Sequence, residues 1–204
     1  MDLWKYEKEL YDEGINYIGG VDEVGRGPLV GNVVAVCCVL PKDFKLDGLT
    51  DSKKLSEKKR EEYYDYIIHN SIYGIGKCSP EEIDKYNILE ATKIAMKRAI
   101  DEVNKKIKLD YVLIDGNMKF NFDIPYKSIV KGDSKSISIA AASVIAKVTR
   151  DHELYILDKE YPMYGFKNHK GYPTKKHIEA IKKYGLIDGY RKTYGPVKEI
   201  LESK

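Results

Sequence analysis

The chain has 204 residues, 43% of them hydrophobic and 33% charged, with a formal net charge of +3. This is the size and balance of one globular domain, or of one domain with a small appendage. No apolar run approaches the roughly eighteen residues of a membrane span, and the charged stretch from Met1 to Leu10 is neither a signal nor a basic transit peptide, so a cytoplasmic protein with no membrane partner is expected.

Residues 3–13 predict a short helix stopped by Gly14, and residues 17–24 a first strand. Residues 32–40, apolar without a break from Val33 to Leu40 and ended by Pro41, predict a second strand in a central position. Cys37 and Cys38 fall inside that run. With Cys78 they lack any Cys-x-x-Cys spacing and read as buried small hydrophobes, in keeping with a reducing compartment. A polar loop holding Asp51-Ser52-Lys53-Lys54-Leu55 precedes a helix from 57 to about 68, capped by Ser56. Residues 71–77 predict a third strand. Ser79-Pro80-Glu81-Glu82 starts a helix, and a second box, Asn87-x-x-Glu90, opens a long one to about Lys106 with Ala91, Ala95, Ala99 and Val103 along its buried stripe.

Residues 111–116 predict a fourth strand ending on Asp115-Gly116. Residues 127–130 predict a fifth, running into Lys131-Gly132-Asp133. A helix from about 136 to 159 follows, with Ser134 and Ser136 as candidate caps and a thin Ala140-Ala141-Ala142-Ser143 segment suited to close backbone packing. Tyr161-Pro162 ends it. Residues 165–173 read as a loop, Thr174 caps a basic helix closed by Gly185, and residues 196–203 form a last short helix. The order implies an α/β fold, a mixed sheet with helices on its faces. Residues 1–160 read as the body and 161–204 as a helical region packed on it. Residues 167–204 carry a balance of +6 against −3 for the rest, which suits an acidic polymer held partly by the tail, or simply a solvated helix surface.

Chemistry concentrates in Gly19-Gly20-Val21-Asp22-Glu23-Val24-Gly25-Arg26-Gly27-Pro28. On a strand, Asp22 and Glu23 point to opposite faces, yet a glycine-flanked strand end allows them to converge. The glycines after the pair let backbone approach a ligand, and Arg26 offers a fork suited to phosphate. Asp22, Asp115 and Asp133 each sit at or just past the end of an apolar strand beside a glycine. Any one of them reads equally well as a turn or cap residue. Together with Glu23 they suggest one acidic cluster, which repels itself unless cations enter. Oxygen-preferring Mg²⁺ is the natural neutraliser, and two ions would serve phosphodiester cleavage. Zinc is disfavoured, since His69, His152, His169 and His177 lack ligand spacing near these acids.

These residues carry a resemblance. From about Gly14 to Val197 the chain resembles bacterial ribonuclease HII, the type 2 ribonuclease H. The carriers are Gly20 through Pro28, Asp51-Ser52-Lys53-Lys54-Leu55, Ile114-Asp115-Gly116, Lys131-Gly132-Asp133, Ala140 through Ser143 with Ala146-Lys147-Val148-x-Arg150-Asp151, and Gly171-Tyr172-Pro173-Thr174-Lys175. The resemblance implies a ribonuclease H-like fold with a five-stranded mixed sheet and a C-terminal helical region. It implies that Asp22, Glu23, Asp115 and Asp133 hold Mg²⁺ or Mn²⁺ and are the catalytic set. It implies that Gly25-Arg26-Gly27 reads a ribose 2′-hydroxyl through main-chain groups, and that Tyr172 stacks on the sugar at an RNA-to-DNA junction. The activity implied is two-metal-ion cleavage of the RNA strand of RNA/DNA hybrids, and of duplex DNA at embedded ribonucleotides, leaving 5′-phosphate and 3′-hydroxyl ends, by a protein expected to be a monomer. Lys53 and Lys54 read as phosphate contacts or as an ordinary surface pair. Asp151 reads as a structural partner in the neighbourhood of Arg150, and His169 as an exposed loop residue. Arg191-Lys192-Thr193-Tyr194-Gly195-Pro196-Val197 departs slightly from the family's usual Arg-Ser-Phe-x-Pro-Val. A deoxyribonuclease or junction resolvase on a similar scaffold, or a binding module using only the basic tail, are the alternatives the residues leave open.

Overall fold

A computed structural model describes residues 2–121 and 123–203. Lys204, the last of the basic residues counted in the tail, lies outside them. Five strands, β1 (Ile18–Val24), β2 (Val33–Val39), β3 (Ile72–Cys78), β4 (Tyr111–Asp115) and β5 (Tyr126–Ile129), form one sheet in the order β3-β2-β1-β4-β5. β1 and β2 pair antiparallel, as do β2 and β3, whereas β1–β4 and β4–β5 are parallel. The sheet is therefore mixed, as the element order implies. Every residue of β2 is buried, which its unbroken apolarity required, but the middle of the sheet is β1.

The helices are α1 (Lys5–Asp12), α2 (Glu57–His69), α3 (Pro80–Asn104), α4 (Ile137–Glu160), α5 (Phe166–His169), α6 (Lys175–Tyr184) and α7 (Gly195–Glu202). One face of the sheet, with Val21, Ala35, Cys37 and Ile114, packs on Ala91, Ala95, Ala99 and Val103 of α3. The other face carries Val36 and Cys38 against the alanine-rich start of α4 and Ile67 of α2. Side-chain alternation thus assigns Val21 to the α3 layer and Gly20 and Asp22 to the α4 layer. α4 crosses Gly20 so closely that a Cβ there would stand 2.1 Å from the Ser138 carbonyl carbon.

The Ser79/Glu82 box of α3 is realised in full, whereas at Asn87 only the cap half forms, Glu90 pairing with Lys93 instead. Ser79 and Glu82 cap each other's backbone N–H groups at 3.3 and 2.9 Å. Asn87 breaks the helical path (φ 67°, ψ 164°), and its Oδ1 accepts the N–H groups of Leu89 and Glu90 at 2.9 and 3.1 Å. Ser136 caps α4 through the Ile139 N–H, whereas Ser134 donates to Lys131 O instead. Glu7 of α1 also serves α4: buried, it accepts the Ser136 hydroxyl at 2.6 Å and the Ser138 N–H at 3.1 Å, a negative charge at a helix N-terminus.

The stretch 165–173, expected as a loop, contains the single turn α5. Four residues are too few for a period to show in sequence. The turn is set instead by burial of Phe166 and by left-handed backbone at Gly165 and Lys170. Phe166 joins Leu29, Val30, Leu154, Ile181 and Tyr190 in a third core, so the C-terminal region shares its packing with the segment after β1 and with α4. No helix among the described residues is long and apolar enough to cross a membrane.

Candidate active site

β1 and β4 lie side by side in parallel, with Val21 opposite Ile114. The next residue on each strand is an aspartate, so Asp22 and Asp115 leave the sheet as neighbours on the α4 side. Beyond β5, Lys131 takes a left-handed conformation (φ 57°) and starts a 3₁₀ turn over Gly132–Ser134 that carries Asp133. The Gly132 N–H donates to Asp115 Oδ1 at 2.6 Å, tying that turn to the strand end. Asp22 is 8% exposed and Glu23 is half-buried.

Three of the four acids are shifted upward, by burial and by neighbouring carboxylates. The Asp22 carboxyl is held well above the usual carboxylate range, first by burial, then by the charges of Glu23, Asp115 and Asp133, against a hydrogen bond from the Glu23 N–H at 2.7 Å. Glu23 is raised by burial and by Asp115, although Arg26, 3.6 Å away, pulls it down. Asp133 is raised by burial, then by Asp51 and Asp115. Such a set favours cations of oxygen preference. The side chains are nonetheless not closed on a centre: among the described residues, no three of His, Cys, Asp or Glu stand as a ready-made metal group. Three of the four acids spend an oxygen locally, Asp22 on Glu23 N–H, Asp115 on Gly132 N–H, and Glu23 on Arg26. Unneutralised carboxylates at close quarters take whatever positive partner is near. The donor chemistry, carboxylate oxygens throughout, fits Mg²⁺ or Mn²⁺.

Asp51 Oδ1 accepts the Lys53 N–H at 2.9 Å and so fixes a 3₁₀ turn over Ser52–Lys54. The exposed Lys53 ammonium loses some basicity to burial, but Asp22, Asp51 and Asp133, with Tyr172, hold it above its ordinary value. Lys53 therefore belongs to the site's field. Lys54 is exposed, and its recorded part in the turn is a backbone N–H to Asp51 O.

The Gly25-Arg26-Gly27 turn follows directly. Gly25 has φ +93° and is buried, while Arg26 and Gly27 are exposed. A Cβ on Gly27 would stand 3.0 Å from Tyr172 Cε1, so the Tyr172 ring, 46% exposed, lies against the turn. Two buried arginines support this loop. Arg150 donates to Val30 O (3.0 Å) and Asn32 O (2.8 Å), and Arg191 reaches the carbonyls of Gly25, Arg26 and Gly31 at 2.6 to 3.0 Å. The segment is also stitched to the C-terminal region by Leu29 N–H to Gly171 O and by Gly31 N–H to Gly189 O. Sequence reasoning left Arg191 without a role and placed Arg150 only as a neighbour of Asp151. Asp151 is indeed a buried structural group, but it pairs with Lys147 at 2.6 Å and faces Arg60 at 3.9 Å, while Arg150 turns the other way.

His169 is not a free loop residue. Its Nε2 bonds Tyr164 O at 2.8 Å, and its ring stacks on His177 at 4.2 Å. His177 is fully buried. Its Nδ1 must carry the proton, because its partner at 2.8 Å is the Tyr172 carbonyl, and its Nε2 meets the Tyr190 hydroxyl at 2.8 Å. This bond fixes the backbone that presents Tyr172. Burial pushes His177 down to about 4 from 6.5. The unfolded chain then binds the extra proton between about pH 6.5 and 4, so this contribution is complete above pH 6.5 and is lost as pH falls toward 4. The urea-unfolding gap between wild type and His177→Asn should narrow by about 2 kcal/mol from pH 7.5 to pH 5. A gap that does not move with pH would mean that His177 binds its proton equally in the folded and unfolded chains, which overturns the effect of burial.

Residues 19–194 match the family described as Ribonuclease HII. A ribonuclease HII from Clostridioides difficile is 55% identical over 197 residues, covering 96% of this chain and 76% of that protein. Among solved structures, the ribonuclease H2 of Pyrococcus horikoshii superposes with a TM-score of 0.74 at 28% identity, over 92% of this chain and 98% of that one. The Bst ribonuclease HIII, solved in complex with Mn²⁺, gives a TM-score of 0.73 at 18% identity, over 92% of this chain and 70% of that one, and speaks to the fold alone. Fold and sequence agree: the chain belongs to the ribonuclease HII family and is a ribonuclease H enzyme.

Proposed function

We propose that the protein is a metal-dependent endoribonuclease that cleaves the RNA strand of RNA/DNA hybrids, and duplex DNA at embedded ribonucleotides, by hydrolysis to 5′-phosphate and 3′-hydroxyl ends. The observation that carries this reading is the meeting of two unlike features at the end of β1. Four acids, Asp22, Glu23, Asp115 and Asp133, with the charges of the other three raising Asp22, stand beside a glycine turn backed by an exposed aromatic ring, Tyr172. The acids would hold Mg²⁺ or Mn²⁺; when bound, a pair of such ions neutralises the scissile phosphate and renders water nucleophilic. Gly25, Arg26 and Gly27 would present main-chain groups to the 2′-hydroxyl, which alone separates RNA from DNA at a given nucleotide. Lys53 would meet a phosphate, and Lys54 the same backbone further out. The Tyr172 ring would stack on the sugar.

The test is a cleavage panel of all-DNA, all-RNA and chimeric duplexes, with and without divalent ion. Cleavage confined to hybrids and to embedded ribonucleotides, and lost in chelator, is expected. Equal cleavage of all-DNA duplex would instead mark a deoxyribonuclease, and salt-sensitive binding without cleavage a binding module. In the same panel, Tyr172→Ala should lower the preference for a ribonucleotide-containing duplex about tenfold, since one stacked base or sugar contributes about 1–3 kcal/mol. An unchanged preference would remove Tyr172 from recognition.

A further inference from the structure

The guanidinium of Arg191 is 0% exposed, yet its recorded partners include no carboxylate. A charge in that position is costly unless every donor is used. Here they are used on a single object. Nε and Nη2 reach Gly31 O at 3.0 and 2.8 Å, Nη2 also reaches Gly25 O at 2.6 Å, and Nη1 reaches Arg26 O and the Tyr194 hydroxyl, both at 3.0 Å. The Tyr194 hydroxyl in turn donates to Arg26 O at 2.6 Å. Tyr194 is itself held in place, because Asp84 of α3 accepts the N–H groups of Lys192 and Thr193 at 2.9 Å and the Thr193 hydroxyl at 2.6 Å.

The consequence follows from the planar trans peptide, in which C=O and N–H point in opposite directions. Drawing the carbonyls of Gly25 and Arg26 inward to Arg191 and Tyr194 turns the N–H groups of Arg26 and Gly27 away from those two side chains. Neither N–H has an acceptor among the described residues. With φ +93° at Gly25 and no Cβ at either glycine, this turn has little stiffness of its own.

We propose that Tyr194 is a positioning residue for ribose recognition: its hydroxyl, bridging Arg191 and Arg26 O, holds the Gly25-Arg26-Gly27 turn with its free N–H groups facing the nucleic acid. This rests on the reading above that the turn meets the 2′-hydroxyl. It adds that in this chain the discrimination is tuned from behind, by a tyrosine hydroxyl where the family's usual Arg-Ser-Phe-x-Pro-Val carries Phe.

Tyr194→Phe keeps the ring and removes the bridge, and Arg26 O retains its bond from Arg191. Binding is measured by fluorescence anisotropy, without divalent ion, to a DNA duplex containing one ribonucleotide and to the all-DNA duplex of the same sequence. The ratio of the two dissociation constants should fall about fivefold, the worth of one well-placed hydrogen bond. Affinity for all-DNA duplex should not change. Both duplexes meet the same folded fraction, so the ratio is blind to any loss of stability. Tyr172→Ala is run beside it. A ratio unchanged in Tyr194→Phe but lowered in Tyr172→Ala overturns the positioning role and leaves the ribose reading intact. A ratio unchanged in both removes the ribose reading and this proposal with it.

Discussion

Asp22→Asn should lower kcat by about a thousandfold or more while hybrid binding persists, because the variant loses the charge that holds a cation but keeps the shape of the strand end. Asp133→Asn should behave alike. The same substitution carries an effect of the opposite sign on stability. Burial raises Asp22, Glu23 and Asp133, and neighbouring carboxylates add to it: Glu23, Asp115 and Asp133 on Asp22, Asp115 on Glu23, and Asp51 and Asp115 on Asp133. A carboxyl raised in the folded state contributes stability that is complete at acid pH and lost as pH rises through the folded value. At neutral pH the ion-free protein is thus strained by its own site. Asp22→Asn should raise the melting temperature of the ion-free protein by a few degrees. Mg²⁺ or Mn²⁺ should raise that of the wild type, and the variant should show much less of this rise. Calorimetry in chelator and in divalent ion reads all three. Retained ion-dependent cleavage by Asp22→Asn, or an ion-induced stabilisation equal to that of the wild type, would remove Asp22 from the metal site.

Gly20→Ala should prevent folding, or cost more than about 4 kcal/mol in urea unfolding. An alanine Cβ at that position would stand 2.1 Å from the Ser138 carbonyl carbon and 2.4 Å from the Ile139 nitrogen. Both are backbone atoms of α4, so no rotamer change relieves the clash, and the helix must move off the sheet. The site would be lost with it, because the start of α4 follows directly from the turn that carries Asp133, and Ile139 packs within reach of Gly132. Gly195→Ala is the matched control. Nothing lies within 4 Å of its would-be Cβ, its φ is not left-handed, and the change should stay within about 0.5 kcal/mol. Equal stability of the two variants would show that α4 does not need the close approach at Gly20.

Local rules made most of the fold legible. The caps Ser56, Ser79, Asn87, Ser136 and Thr174 each accept the backbone N–H groups expected of them, because a cap is decided within three or four residues of chain. Strand positions followed from apolar runs for the same reason. The recurrence of an aspartate, with glycine within two residues, at or just past the ends of three apolar strands was also visible, since buried strands exclude acids that have no task. The single turn α5 was not visible, since four residues barely exceed one period and cannot repeat it, and the middle of the sheet was not, since β1 takes that place by pairing Ile18 with Tyr111 of β4, far along the chain.

The amino-acid sequence by itself therefore determined the elements, their caps and the residues able to do acid and metal chemistry, all of them matters of composition and short spacing. Only the tertiary structure decided who supports them. Arg191 and Tyr194 reach Gly25 and Arg26 across more than 160 residues, His177 holds the Tyr172 carbonyl against Tyr190, and Glu7 caps a helix that begins 130 residues later. Such pairings leave no periodic trace, because a buried polar group is satisfied by whichever carbonyl or hydroxyl the folded chain brings to it.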